Sequence, residues 1–179
     1  MNDQLQSIEK KVGRNFDSPP LHLWDPPLSG DIDIRIDGAG RWWHEGTQIK
    51  RESIVRVFAS ILRREKDGEY YLITPGEKWR IQVDVLPLMV NDIDMHKDDD
   101  SMVTFEATLN TGKKVLVDSE HSLYLEPAQD NIAALRLDHG LSALFSRSAW
   151  YRLVEMSELK EGRACIVSAG EIFPIEVET

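Results

Sequence analysis

The chain has 179 residues, 41% hydrophobic and 29% charged, with a formal net charge of -10. That length holds one large domain or two small ones, and that charge argues against a nucleic-acid or anionic-membrane surface. A single cysteine, Cys165, excludes an intrachain disulfide and a cysteine-based zinc site.

The chain opens on MNDQLQSIEKKVGR, which is polar and lacks an apolar signal core. No run approaches the ~18–20 apolar residues of a membrane helix, so the sequence reads as a cytoplasmic protein. Leu5, Ile8 and Val12 recur at helical spacing and predict a short amphipathic helix over 3–13. Two Pro-Pro pairs in FDSPPLHLWDPPLSG then hold the chain extended, as a rigid arm anchored by Trp24. DIDIRID (31–37) alternates strictly and predicts a half-buried strand. RWWHEG is a short return strand, with Trp42 and Trp43 on opposite faces. In IKRESIVRVFASILRREK, the residues Ile54, Val57, Phe58, Ile61 and Leu62 fall on one helix face.

Beyond residue 68 the pattern turns to strands, with turns at Gly76, in HKDDD and in NTGK. They are EYYLIT, WRIQVDV, PLMVNDIDM, MVTFEATL and KKVLVD. AALRLDHG reads as a further strand, SRSAWYRLVEM as a helix capped by Ser146, and RACIVS with FPIEV as a closing hairpin. Acid gathers in the second half: residues 1–90 hold 13 Lys+Arg against 14 Asp+Glu, residues 91–179 hold 8 against 17.

Three stretches recur in order. IRIDG (34–38) matches LRLDHG (135–140), KRESIVRVF (50–58) matches SRSAWYRLV (146–154), and ITPGEKWRI (73–81) matches VSAGEIFPI (167–175). The fold expected is α+β: two β-rich units sharing a strand–helix–β-hairpin motif, extra antiparallel strands between them, and a short N-terminal helix. The boundaries expected are 1–16 for the N-terminal helix and arm, 17–90 for the first unit and 91–179 for the second. The pairing requires Gly76 and Gly170 to share one backbone setting.

No nucleophile elbow, phosphate loop, dinucleotide fingerprint or zinc-protease motif is present. The candidate ligand-binding residues are Trp43, His44 and Glu45 in the aromatic strand, Lys78 in the TPGEKW turn, and Arg51 and Arg147 at the two helix starts. A cation in a first helical turn opposes the helix dipole. Each arginine therefore calls for a partner: a carboxylate of its own unit (Asp37 or Glu77, Asp138 or Glu171), or a bound anion. The ion pair is the favoured reading, and no metal or cofactor is expected.

The run LHLWDPPLSGDIDIRIDGAGRWWHEGTQIKRESIVRVFASIL, followed by YYLITPGEKWRIQVDVLPLMV, resembles a bacterial family called domain of unknown function 1285. The likeness rests on W-D-P-P, D-G, W-x-H-x-G and T-P-G-E-K-W, and extends over residues 17–177. It implies a two-part α+β protein with repeated motifs and a role in signal transduction, and it supplies no catalytic residues. The expectation is a non-enzymatic regulatory module that binds a small anionic ligand or a protein, with neither nucleic acid nor membrane as partner. The alternative is an enzyme with a polar cleft between the units.

Overall fold

A computed structural model describes residues 19–176; the helix expected over 3–13 lies outside them. The chain divides into two compact units, 1–87 and 88–179.

In the first unit, residues 21–23 make one 3-10 turn. The strands are β1 (Leu28–Ile36), β2 (Trp42–His44), β3 (Thr47–Gln48), β4 (Leu62–Arg64), β5 (Tyr70–Ile73) and β6 (Lys78–Val83), with helix α1 (Glu52–Ser60) between β3 and β4. They form one sheet in the order β3-β2-β1-β6-β5-β4, antiparallel except where β6 lies parallel to β1. The alternation of DIDIRID does what its period requires: Ile32, Ile34 and Ile36 are buried while Asp31, Asp33 and Arg35 stay exposed. α1 packs Ile54, Val57 and Phe58 inward, and Phe58 meets Trp42 at 5.9 Å between ring centroids. The helix is shorter than its apolar face predicts. Ile61 is its C-cap, and Leu62 is buried in β4 opposite Leu72, so strand pairing overrides helical periodicity at that point.

In the second unit the strands are β7 (Leu88–Lys97), β8 (Val103–Leu109), β9 (Lys114–Val117), β10 (Leu123–Glu126), β11 (Ile132–Arg136) and β12 (Ser142–Phe145). Their sheet order is β10-β11-β12-β7-β8-β9, with β12 parallel to β7. Numbered within each unit, both sheets have the order 4-5-6-1-2-3: two three-stranded meanders joined by one central parallel pair. Helix α2 (Arg147–Glu155) follows, then a separate meander of β13 (Glu158–Lys160), β14 (Arg163–Ser168) and β15 (Glu171–Pro174). β10, β12 and β13 carry no strong sequence pattern and were not expected.

β9 and β10 are the two edges of their sheet, yet only residues 118–122 join them. Five strand spacings across a flat sheet would be about 24 Å. Six residue steps reach at most about 22 Å, before any distance along the strands is added. The sheet therefore curls, bringing its edges toward each other.

β14 secures the third sheet to the second. The Ser168 hydroxyl accepts from the Phe105 N–H at 2.8 Å and donates to the Val117 carbonyl at 2.6 Å. It thus stands between two groups of β8 and β9 that face each other in register. Ala169 N–H adds a bond to the Val103 carbonyl.

The repeat holds as an order of elements and fails at one turn. Strand–turn–strand–helix–meander describes both β1 to β6 and β11 to β15, and Ile73↔Lys78 pairs in the same register as Val167↔Ile172. But Ala169 and Gly170 form a two-residue turn at φ 51 and 83, whereas Gly76 does not have a positive φ. Pro75 locks its own φ negative, closing the first hairpin to the turn used by the second. The residue-by-residue equivalence of Gly76 and Gly170 is therefore wrong. The closures differ too: β6 returns to β1, while β13–β15 stand apart from β11.

Candidate functional site

The residues alternating with the buried isoleucines of β1 lie on the sheet face away from α1. Arg35 pairs across the strands with Trp43, and Trp43 with Gln48. Arg80 pairs with Asp31 on one side and Tyr71 on the other. Side chains directly opposite each other share a face, so these residues line one surface.

Its arginines are fixed by carboxylates. Arg35 makes a two-bond fork to Asp84 (2.8 and 2.6 Å), and Arg80 one to Asp31 (2.7 and 3.0 Å). Those hydrogen bonds hold the Asp84 and Asp31 carboxyls below the ordinary range and push the arginines up.

Asp37 is the keystone of the turn after β1. One oxygen accepts from the Ala39 and Arg41 N–H groups, both at 3.0 Å. The other accepts from the Arg41 guanidinium at 2.8 Å and the Trp43 indole at 2.9 Å. Burial alone would raise this carboxyl; the bonds from the Arg41 backbone, Trp43, the Arg41 side chain and Ala39 outweigh it and hold it low. Trp43 is consequently rigid, half-buried and pinned through its only polar atom, with the Arg41 guanidinium 5.8 Å from its ring centroid.

The structure sets Trp43 apart from its two neighbours, while the His44 Nδ1 and Glu45 Oε2 atoms lie 3.9 Å apart. Trp43 is on the outer face. His44 pairs with Ile34 on the α1 side, and its side chain is only 11% exposed. Glu45 sits in the β2–β3 turn at φ 48, followed by Gly46 at φ 73. Trp43 therefore does not converge with His44 and Glu45 on one point.

Lys78 belongs to a structural network. Its ammonium lies 3.3–3.4 Å from both Glu65 oxygens and over the Tyr71 ring. Arg63 also bonds Glu65, and donates to the Leu21 and Trp24 carbonyls, holding the Pro-rich arm on the sheet. Burial would raise Glu65, but Arg63 and Lys78 keep it low. Tyr71, donating to Asp67 at 2.7 Å, is pushed up to about 12.

The expected ion pairs at the helix starts do not form. Arg51 is the N-cap of α1 and has no side-chain capping bond; Arg147 is the first residue of α2. Both are exposed, and neither makes an ion pair among the described residues. Asp37, one of the two carboxylates proposed for Arg51, is occupied by Arg41 and Trp43. Ser146 caps α2 as expected, accepting from Ala149 N–H. Asp37 and Arg41 were missed as site residues; the signal was an Asp opening a Gly-rich turn, the setting of an Asx turn.

Two family models match the chain. Domain of unknown function (DUF1285), N-terminal domain, covers residues 19–85, and Protein of unknown function (DUF1285), C-terminal domain, covers 87–175. A crystal structure of a DUF1285 family protein from Silicibacter pomeroyi DSS-3 is 32% identical, with a TM-score of 0.87, covering 97% of this chain and 95% of that one. The chain belongs to the DUF1285 family. A second DUF1285 crystal structure, from Shewanella baltica OS155, is 30% identical, with a TM-score of 0.56, over 69% of this chain and 91% of that one. No curated protein matches.

The motifs by which the sequence resembles DUF1285 proteins have structural work here. Pro26 is buried, Trp42 packs on Phe58, Thr74 closes the β5–β6 turn through bonds with Glu77, Lys78 grips Glu65, and Trp79 covers Gly30. No helix among the described residues is long and apolar enough to cross a membrane.

Proposed function

We propose that this DUF1285 protein is a non-catalytic regulatory module, acting in signal transduction, that binds a protein partner through the outer sheet face of its first unit, with Trp43 at the centre. The observation that carries this reading is the pinning of Trp43 by Asp37 among arginines already held by carboxylates. A contact surface whose aromatic and guanidinium groups are ordered before binding loses little side-chain entropy on association, and Trp, Tyr and Arg dominate interface energetics. A catalytic acid would need a carboxyl raised toward neutrality. The shifts at Asp31, Asp37, Glu65, Asp67, Asp84 and Glu106 are all downward, which supports binding over chemistry. The test is a photo-crosslinking side chain at position 33, on this face, against one at the exposed position 116 of β9, in cells carrying the protein. A discrete protein adduct at 33 alone is expected; equal labelling at both positions would sink the proposal.

A second reading rests on Arg51. An exposed cation at a helix start with no carboxylate partner among the described residues suits a small phosphate or carboxylate. A thermal-shift screen against such anions decides it: a ligand at 100 times its dissociation constant adds about 2.7 kcal/mol, and Arg51→Ala should abolish the shift. A shift that survives the substitution places the anion elsewhere.

A further inference from the structure

The outer face of the first sheet is open on one half and covered on the other. Asp31, Asp33 and Arg35 of β1 stand exposed. Arg80 lies opposite Asp31 and Tyr71, and Tyr71 opposite Arg63, so the same face runs on to the β4 edge. Ile73 and Lys78 pair two residues further along it. Yet Tyr71 is 4% exposed and Ile73 0%. What lies over them is the proline-rich arm, residues 19–27. The arm enters β1 at Leu28, opposite Lys78 and hence in the row of Ile73. Upstream it meets Arg63, which donates to the Leu21 carbonyl at 3.0 Å and the Trp24 carbonyl at 2.9 Å and stands 3.9 Å from Asp25. β4 is three strand spacings from β1, about 14 Å, so the arm crosses β6 and β5 to reach it. Its buried side chains are Leu21 and Pro26.

The arm is seated on the sheet without being zipped into it. The backbone bonds from its Leu21, Leu23 and Trp24 N–H groups all end on arm carbonyls. Its prolines have no N–H with which to extend a strand ladder, and Leu23 is 72% exposed. A segment tied mainly by side chains opens at less cost than the strands beneath it. We infer that the arm is an autoinhibitory strap. Seated, it covers the β4–β6 half of the outer face; released, it uncovers Tyr71 and Ile73 beside the Trp43 surface and enlarges the docking site. This rests on the docking face proposed above. Tyrosine is among the residues that dominate interface energetics, and Tyr71 is braced by its bond to Asp67 at 2.7 Å. Arg63 and Lys78 keep their anchor on Glu65 when the arm leaves, so the uncovered surface is ordered in advance.

The experiment uses the full chain and two readouts. Limited proteolysis with chymotrypsin under native conditions reads release of the arm, by cleavage at Leu21, Leu23 or Trp24. Arg63→Gln replaces a charged donor to two carbonyls, so cleavage there should be about ten-fold faster. The second readout is the photo-crosslinked adduct at position 33, in cells carrying the protein. Apparent affinity follows the fraction of molecules competent to bind, so the adduct in Arg63→Gln should rise by up to about ten-fold. A purely structural arm predicts the opposite, because loosening it would weaken the face. Unchanged cleavage in Arg63→Gln, or faster cleavage with an adduct that stays level or falls, overturns the inference. Equal labelling at positions 33 and 116 in every protein is instead the failure of the docking face itself, and takes the autoinhibition with it. If Arg63→Gln fails to fold, Leu21→Ala, which leaves the Arg63–Glu65–Lys78 network whole, should show the same two increases and decides the matter by the same outcomes.

Discussion

Ser168→Ala removes one oxygen atom from a fully buried side chain and should be one of the costliest small substitutions in the second unit. The hydroxyl serves two backbone groups at once, the Phe105 N–H at 2.8 Å and the Val117 carbonyl at 2.6 Å. Ser168 is 0% exposed, so water cannot replace it without opening the contact between the third sheet and β8. Each group left unsatisfied costs about 1–3 kcal/mol. Allowing for relaxation of the β8–β9 ladder, the loss should be about 2–3 kcal/mol. For a unit of some 90 residues, each kcal/mol shifts the midpoint by about 4–8 °C, so the second unit should melt at least ~8 °C lower. Calorimetry of the full chain reads this directly, with Ser157→Ala as control, since that hydroxyl caps only the exposed Val154 carbonyl. A Ser168→Ala midpoint within 1 °C of wild type would refute the bridging role, because it would mean that the two backbone groups pair without it.

The two adjacent tryptophans should part company. Trp42→Ala empties a core site against Phe58 and should cost about 3–5 kcal/mol, while Trp43→Ala, half-buried and with Asp37 keeping three other bonds, should cost about 1 kcal/mol; denaturant titration separates them. The low-lying Asp37 carboxyl contributes stability that is present above its unfolded value of about 4 and lost as pH falls below it. Asp37→Asn should therefore be less stable at neutral pH and less sensitive to acid, as urea midpoints from pH 2 to 7 would show; parallel curves for the two proteins would remove Asp37 from the account. Gly30 holds φ 136 beneath the Trp79 ring, so Gly30→Ala should destabilise the first unit by about 1–2 kcal/mol, and an unchanged midpoint would show that β1 tolerates the strain.

The parts of this fold that alternation encodes were legible in the sequence. β1 and the opposed tryptophans follow from a period of two, and the Ser146 cap from the chemistry of helix starts. What escaped depends on partners far apart in the chain. The central parallel pair joins β1 to β6, and the Asp31–Arg80 and Arg35–Asp84 forks each span 49 residues. Helical periodicity carried the predicted face of α1 past Ser60, because Leu62 is equally apolar in a strand. Local resemblance also misled: ITPGEKW and VSAGEIF share register and composition, yet a proline in one and an alanine in the other demand different turns. In the candidate site, alternation put Trp42 and Trp43 on opposite faces without saying which one meets solvent; Trp42 is buried and Trp43 half-buried. Residue type could not show that Lys78 is bound to Glu65, that His44 turns to the helix side, or that Asp37 answers to Arg41 and Trp43 instead of Arg51.

The proposed function stands or falls on what Trp43 contributes to binding. With the partner captured at position 33 in hand, isothermal titration should show Trp43→Ala weakening the complex by about 2 kcal/mol or more, roughly 30-fold, while Arg51→Ala binds like wild type. Undiminished affinity in Trp43→Ala, with the protein still folded, would contradict the account.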